Sequence, residues 1–495
     1  MIRPLPFLFA LGAVGMLTAC GDDNPGETRV IVIDDQPELI DAARTPPDAG
    51  DAVLIDALAQ GLVRFDARGQ VVPGLAERWH VSNDGRSYIF RLGAASWADG
   101  QPVVARDVAQ ALERLVDAPR HPLRDALQNI DDVVAMTDRV IEIRLSRPQA
   151  GLLSILAQPE LGIISRDGGS GPFLLGENEE EGDAAGFHLS RLVTDRASET
   201  SSEEVVHLTG LDAQAAIAAY LDSQADLVLG GGFATLPYAQ NANLPGGALQ
   251  FDPVRGLFGL VPMRNRGPLA DRDFRRALSR SVDRAALIND LGVPGLTPRA
   301  TILQNGLVGD VRIASPAWLD TPVTERQAAI AARLRAQLGP ADAQQSALAK
   351  VSVFLPAGPG SDILFNRLAA DWGRIGVEAS RTESAAQADY ALIDVVAPST
   401  GLDWFVNRFR CARAAICDEA VELLFEQADS TDVPDQRQRI LIDASAAMDR
   451  GELFIPLTAP IRWSLASPLV TGFATNSLGR HPLTGLKLTL AESAP

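Results

Sequence analysis

Apolar positions along this chain keep two rhythms. Short runs between Leu62 and Leu92 are punctuated by Gly, Pro and Asn-Asp-Gly turns. Asn83-Asp84-Gly85, set between Trp79–Val81 and Tyr88–Leu92, predicts a hairpin. Val108, Ala111, Leu112 and Leu115 then recur at helical spacing, as do Leu364, Leu368, Trp372 and Ile375, and later Ile440, Leu441, Ala444 and Met448. Upstream, Arg29–Ile33 reads as a short strand, and the turn-rich stretch 45–51 leads into a helix ending near Gln60. The middle predicts strands at Phe187–Leu192, Val205–Leu208 and Ala225–Leu229, with a helix over Asp212–Leu221. From Val351 a strand, a helix (Asp362–Ile375), a strand near Val377 and another at Tyr390–Val395 alternate as in a βαβ unit. No repeat period stands out, and the five acids of Glu177–Asp183 read as a solvated loop rather than a cation site. The pattern as a whole is α/β or α+β with several sub-domains.

One stretch fits neither rhythm. After Met1-Ile2-Arg3, a mostly apolar run from Leu5 to Met16 ends at Leu17-Thr18-Ala19-Cys20, followed at once by Gly21-Asp22-Asp23-Asn24-Pro25-Gly26. This is the plan of a secretory signal peptide, too short and too rich in Gly and Pro for a spanning helix. Leu-Thr-Ala-Cys resembles the lipobox of bacterial lipoproteins, which implies that Cys20 becomes the lipid-modified first residue of the mature chain. Residues 1–19 are then a signal peptide and 20–28 a tether. With Cys20 lipidated, Cys411 and Cys417 remain. In an export compartment an even remainder suggests a disulfide, although two free buried thiols are the alternative.

Length and charge narrow the class further. At 495 residues the chain suits about three domains, and 46% hydrophobic with 22% charged residues suits a folded globular protein. Acids outnumber bases 63 to 44, for a formal charge of −19, so nucleic-acid binding is not expected. Lys350 and Lys487 are the only lysines, an Arg bias read as coding composition rather than function. The five histidines are not spaced as a zinc pair, and neither Cys-x-x-Cys nor Gly-x-Ser-x-Gly occurs. Gly168-Gly169-Ser170-Gly171 and Gly230-Gly231-Gly232 lack the Gly-Lys-Ser/Thr of a phosphate loop. Nothing here argues for an enzyme, a metal or a cofactor.

Leu75-Ala76-Glu77-Arg78-Trp79-His80-Val81-Ser82-Asn83-Asp84-Gly85 is followed by Trp97-Ala98-Asp99-Gly100-Gln101-Pro102-Val103-Val104-Ala105-Arg106-Asp107-Val108. This pair resembles the signature of the peptide/nickel/opine-type solute-binding lipoproteins that feed ABC importers, solute-binding family 5. Ser170-Gly171-Pro172-Phe173, the stretch Asp271–Ile288, Ile455-Pro456-Leu457 and Val470-Thr471-Gly472-Phe473 resemble further family segments. The resemblance implies a two-lobe periplasmic-binding-protein-like fold with mixed sheets and a hinge. Lobe I would comprise 29–64, 166–252 and 461–495 with a sub-domain at 65–165, and lobe II would be 253–460. It also implies a monomer, held outside the cytoplasm by its lipid anchor, that passes a peptide or other small solute to an ABC permease and ATPase complex. A non-peptide ligand (opine, sugar, metal chelate) and an envelope chaperone or signalling receptor are the alternatives.

One departure bears on the ligand. Peptide-binding members carry Gly-Trp-x-x-Asp after a strand, the Asp gripping the peptide amine, whereas here Tyr390–Ile393 is followed by Asp394-Val395-Val396-Ala397-Pro398. Asp394, Asp403 and Trp404 are the candidates to supply a carboxylate and an aromatic wall instead. A helix cap and a packed Trp are the plainer alternative for Asp403 and Trp404.

Overall fold

The computed structural model describes residues 27–149, 151–165, 168–176, 186–195, 200–307, 312–336 and 349–488. The leader, Cys20 and the acidic run Glu177–Asp183 lie outside the described residues. Three sheets organise the rest. The seven-stranded sheet runs, in spatial order, Leu174–Leu175, Phe187–Asp195, Thr200–Leu211, Glu27–Ile33, Leu227–Gly232, Arg462–Ala466 and Leu249–Phe251. Glu27–Ile33 lies parallel to both neighbours, Val30 opposite Leu208 on one side and Leu227 on the other. The five-stranded sheet runs Val377–Arg381, Ala349–Phe354, Tyr390–Val396, Gly256–Pro262 and Ile455–Thr458. A four-stranded antiparallel sheet, Ala76–Val81, Ser87–Leu92, Val140–Leu145 and Ile130–Thr137, forms a separate unit on its own core.

Local chemistry sets the elements. Asp48 caps Ala49–Leu58 in a capping box with Asp51, Asp212 caps Ala213–Leu221, and Asp271, Asp283 and Asp418 cap the helices that follow them. In the Asn83-Asp84-Gly85 hairpin, the Asp84 carboxylate accepts the Arg86 N–H at 3.1 Å and Gly85 takes φ +67°. The glycine-rich stretches serve packing. A Cβ on Gly171 would stand 2.2 Å from the Leu58 carbonyl carbon, and one on Gly231 the same distance from the Trp463 ring.

The motif arginines are internal braces. Arg284 donates to the Pro456 and Ser279 carbonyls at 2.7 and 2.9 Å, and Arg275 to those of Leu269 and Gly451, both at 2.8 Å. These side chains, with most of their donors spent on backbone carbonyls, hold the second lobe together.

The chain crosses between the seven- and five-stranded sheets twice, at 252–255 and 459–461. Beside these crossings the lobes share an apolar contact, with Phe233 edge-on to Phe258 at a centroid distance of 4.9 Å. Gly360 at the start of the helix Pro359–Arg374 donates its N–H to the Ala234 carbonyl at 2.9 Å. Two short crossings flanked by a packed fulcrum make a hinge.

Candidate functional site

The four-stranded unit faces the helical half of the second lobe across a cleft. Within it lies a cavity of about 320 Å³, with Tyr88, Asn129 and Gln149 on one wall and Asp403, Arg437 and Gln438 on the other. The first wall is preorganised by its own hydrogen bonds. Asn129 Nδ2 donates to Gln149 Oε1 at 2.9 Å, and Gln149 Nε2 to the Ala126 carbonyl at 2.6 Å. Burial pushes the Tyr88 phenol up, so it stays a neutral hydroxyl. The opposite wall is ionic. Arg437, on the helix Pro434–Gly451, grips both oxygens of Asp403, with Nη1 to Oδ2 at 2.7 Å.

Three contacts across this cleft are ion pairs. Arg86 meets Asp432 at 2.6 Å, Arg147 meets Asp429 at 2.7 Å, and Arg413 meets Asp125. Burial alone would raise Asp429, but hydrogen bonds and charge from Arg410 and Arg147 hold it below the usual carboxylate range. Gln158 Nε2 donates to the Pro398 carbonyl at 3.0 Å, so the segment after Val396 rests directly on the first lobe. Cys411 and Cys417 are bonded, with Cα atoms 5.0 Å apart, and the short loop between them carries Arg413. The disulfide thus holds one end of a cross-cleft ion pair.

The residues expected from sequence occupy three different settings. Asp403 lines the cavity, but as the partner of Arg437 and not as a helix cap, since Gly401 holds the cap position of Leu402–Val406. Asp394 sits where the strand Tyr390–Val396 reaches the hinge, and its two oxygens take Arg462 Nη1 at 2.9 and 3.1 Å. Burial raises Asp394 although Arg462 opposes it, so this pair ties the five-stranded sheet to the strand after the second crossing. Trp404 stands edge-on to Phe405 at 4.9 Å with the Arg408 guanidinium 5.3 Å from its ring, packed on the second lobe's helical core. Tyr88, Gln149 and Arg437 were not anticipated. Arg437 lies 34 positions from Asp403, too far for any local spacing rule to couple them.

Comparison with known proteins places this geometry. The profile of the bacterial extracellular solute-binding proteins, family 5, matches residues 70–394. The probable deoxycholate-binding periplasmic protein YgiS of Escherichia coli is 30% identical over 144 residues, 25% of this chain and 27% of that protein. The periplasmic murein peptide-binding protein MppA of Escherichia coli is 26% identical over 283 residues, 51% of this chain and 52% of that protein. The chain thus spans about half or less of these curated relatives. The solved structure of the murein tripeptide-binding protein MppA superposes with a TM-score of 0.77 at 20% identity, covering 94% of this chain and 99% of that one. The Haemophilus influenzae OppA complex with the peptide RPPGFSPFR gives 0.76 at 18%, over the same shares. These neighbours share the two-lobe periplasmic-binding-protein fold. With a profile match over most of its length and a hinged cleft between two lobes, the chain belongs to the bacterial extracellular solute-binding proteins, family 5.

Proposed function

We propose that this protein captures a short peptide or similar small solute between its two lobes and delivers it, without chemical change, to the permease of an ABC importer. In this reading Cys20 carries the lipid anchor that keeps the protein at the outer face of a membrane. The observation that carries the proposal is the cavity at the cleft, whose polar groups come from both sides of a hinge. At about 320 Å³ it is at the small end of the roughly 300–1,000 Å³ of small-molecule sites, which favours a short ligand. Asp403 and Arg437, paired with each other in this cavity, can exchange that pairing for an amine and a carboxylate, the two ends of a peptide.

A thermal-shift screen of di- and tripeptides, opines, sugars and metal chelates, followed by calorimetry, tests this. Asp403→Asn and Arg437→Gln should each weaken the hit by about 2–5 kcal/mol, because each leaves a charged end of the bound ligand without its partner. Affinity unchanged in both variants would remove the site from this cavity, and scattering at about 1 M salt, where the cross-cleft ion pairs are screened, without compaction at saturating ligand would reject closure. Fractionation of cells carrying Cys20→Ser checks the anchor, and wild type already fully soluble would refute it.

A further inference from the structure

A second cavity, of about 380 Å³, adjoins the hinge crossings beside the edge strands Ile455–Thr458 and Leu249–Phe251, and shares no lining residue with the cleft cavity. Its walls come from both lobes and from the crossings themselves. Four charged groups line it, and two of them are already spent. The Asp252 carboxylate accepts the Asn476 N–H at 2.8 Å and faces His481 Nε2 at 3.0 Å, with only 3% of its side chain exposed. Arg462 is held by Asp394.

The remaining pair, Arg255 and Arg299, has no carboxylate within ion-pairing distance among the described residues. Arg299 donates to the Gly256 carbonyl at 3.2 Å, and Arg255 makes no side-chain hydrogen bond there. Burial, with the charge of Arg255 adding to it, pulls Arg299 down to about 10. On the same wall the Gln304 amide nitrogen is buried without an acceptor. A guanidinium shielded by burial, a second one half-buried beside it and an unused amide donor favour an anion that joins them. Planar guanidinium forks match a group that offers two oxygens.

We propose that the hinge cavity binds a small oxyanion, a carboxylate or phosphate group, between Arg255 and Arg299 with the Gln304 amide as third donor. The site is independent of the solute cavity and of what that cavity holds.

Calorimetry and thermal shift with inorganic phosphate and, separately, malonate test it, ionic strength being held constant with chloride. Saturable binding of at least one anion is expected, weakened about tenfold or more by Arg255→Gln and by Arg299→Gln, as losing a charged hydrogen bond implies. The exposed Arg333→Gln should bind as wild type does. If phosphate alone binds, the site takes a free inorganic anion; if malonate binds, it takes the carboxylates of organic solutes. No saturable binding of either up to about 10 mM, weaker than the weakest specific complexes, would overturn the proposal. So would equal binding by all three variants. Should Arg299→Gln fail to fold, Arg255→Gln decides, since Arg255 gives up no internal hydrogen bond.

Discussion

Asp449, near the end of the helix Pro434–Gly451, accepts the Ile302 N–H at 3.0 Å, yet burial raises its carboxyl to about 7, with the charge of Glu452 adding to the effect. An unfolded aspartate titrates near ~4. Between those values the folded chain holds a proton that the unfolded chain has lost, so stability is greatest below the unfolded value and falls as pH rises through about 7. The slope approaches about 1.4 kcal/mol per pH unit. Asp449→Asn keeps the acceptor and removes the titration. Denaturant titrations at pH 5 and pH 8 should therefore show wild type losing about 2–3 kcal/mol more than the variant. Parallel pH profiles would contradict the assignment. Nothing at this scale was legible in sequence beyond the candidate carboxylates. With 63 acids and 44 bases, the pairings Asp394–Arg462 and Asp403–Arg437 depend on tertiary approach, and no spacing rule reaches so far.

The loop closed by Cys411 and Cys417 is the element whose removal is easiest to read. Cys411 donates its N–H to Glu422 Oε2 at 2.9 Å, which anchors the loop to the helix Glu419–Asp429, and Arg413 extends from it to Asp125. Replacing both cysteines by serine should cost about 2 kcal/mol in chemical denaturation, as expected for so short a closed loop. Intact mass with and without reduction checks the bond, and two alkylatable thiols in the native protein would disprove it. At this scale the sequence was informative where side chains enforce geometry, as at the Asp84-Gly85 hairpin and the helix expected over Asp212–Leu221, which the Asp212 side chain caps. It was less so where backbone alone decides. The helix expected from Asp362 begins at Pro359, behind Gly358 at φ +133°, where a Cβ would stand 2.5 Å from the Ala234 carbonyl oxygen. The strand Thr200–Leu211 outruns its apolar core Val205–Leu208 because Ser201 to Glu204 are carried by ladder pairing with Arg191 to Thr194.

For the whole molecule, closure is held by ion pairs whose members keep appreciable exposure, Asp432 at 81% and Asp125 at 36%. Such pairs contribute about 0–1 kcal/mol each and are screened by salt. Scattering should therefore show the lobes opening as salt rises from low to about 1 M, where the Debye length is only ~3 Å. The triple variant Asp125→Asn, Asp429→Asn, Asp432→Asn should be open already at low salt, and an unchanged radius of gyration in both cases would exclude this latch. The family motifs made the two-lobe plan legible, whereas the composition of the cleft was not, because its walls come from segments some three hundred positions apart, such as Arg86 and Asp432. The central strand Glu27–Ile33 has further consequences. Its neighbour Leu227–Gly232 is completed only by Arg462–Ala466, so the second lobe is spliced into the first. Closing that loop must wait until the intervening 230 or so positions have ordered, which makes the sheet a late and slow step in folding. A nascent chain cut short of residue 462 would own every wall of the cleft and still be left with an unfinished first lobe, a species for proteases rather than for ligands.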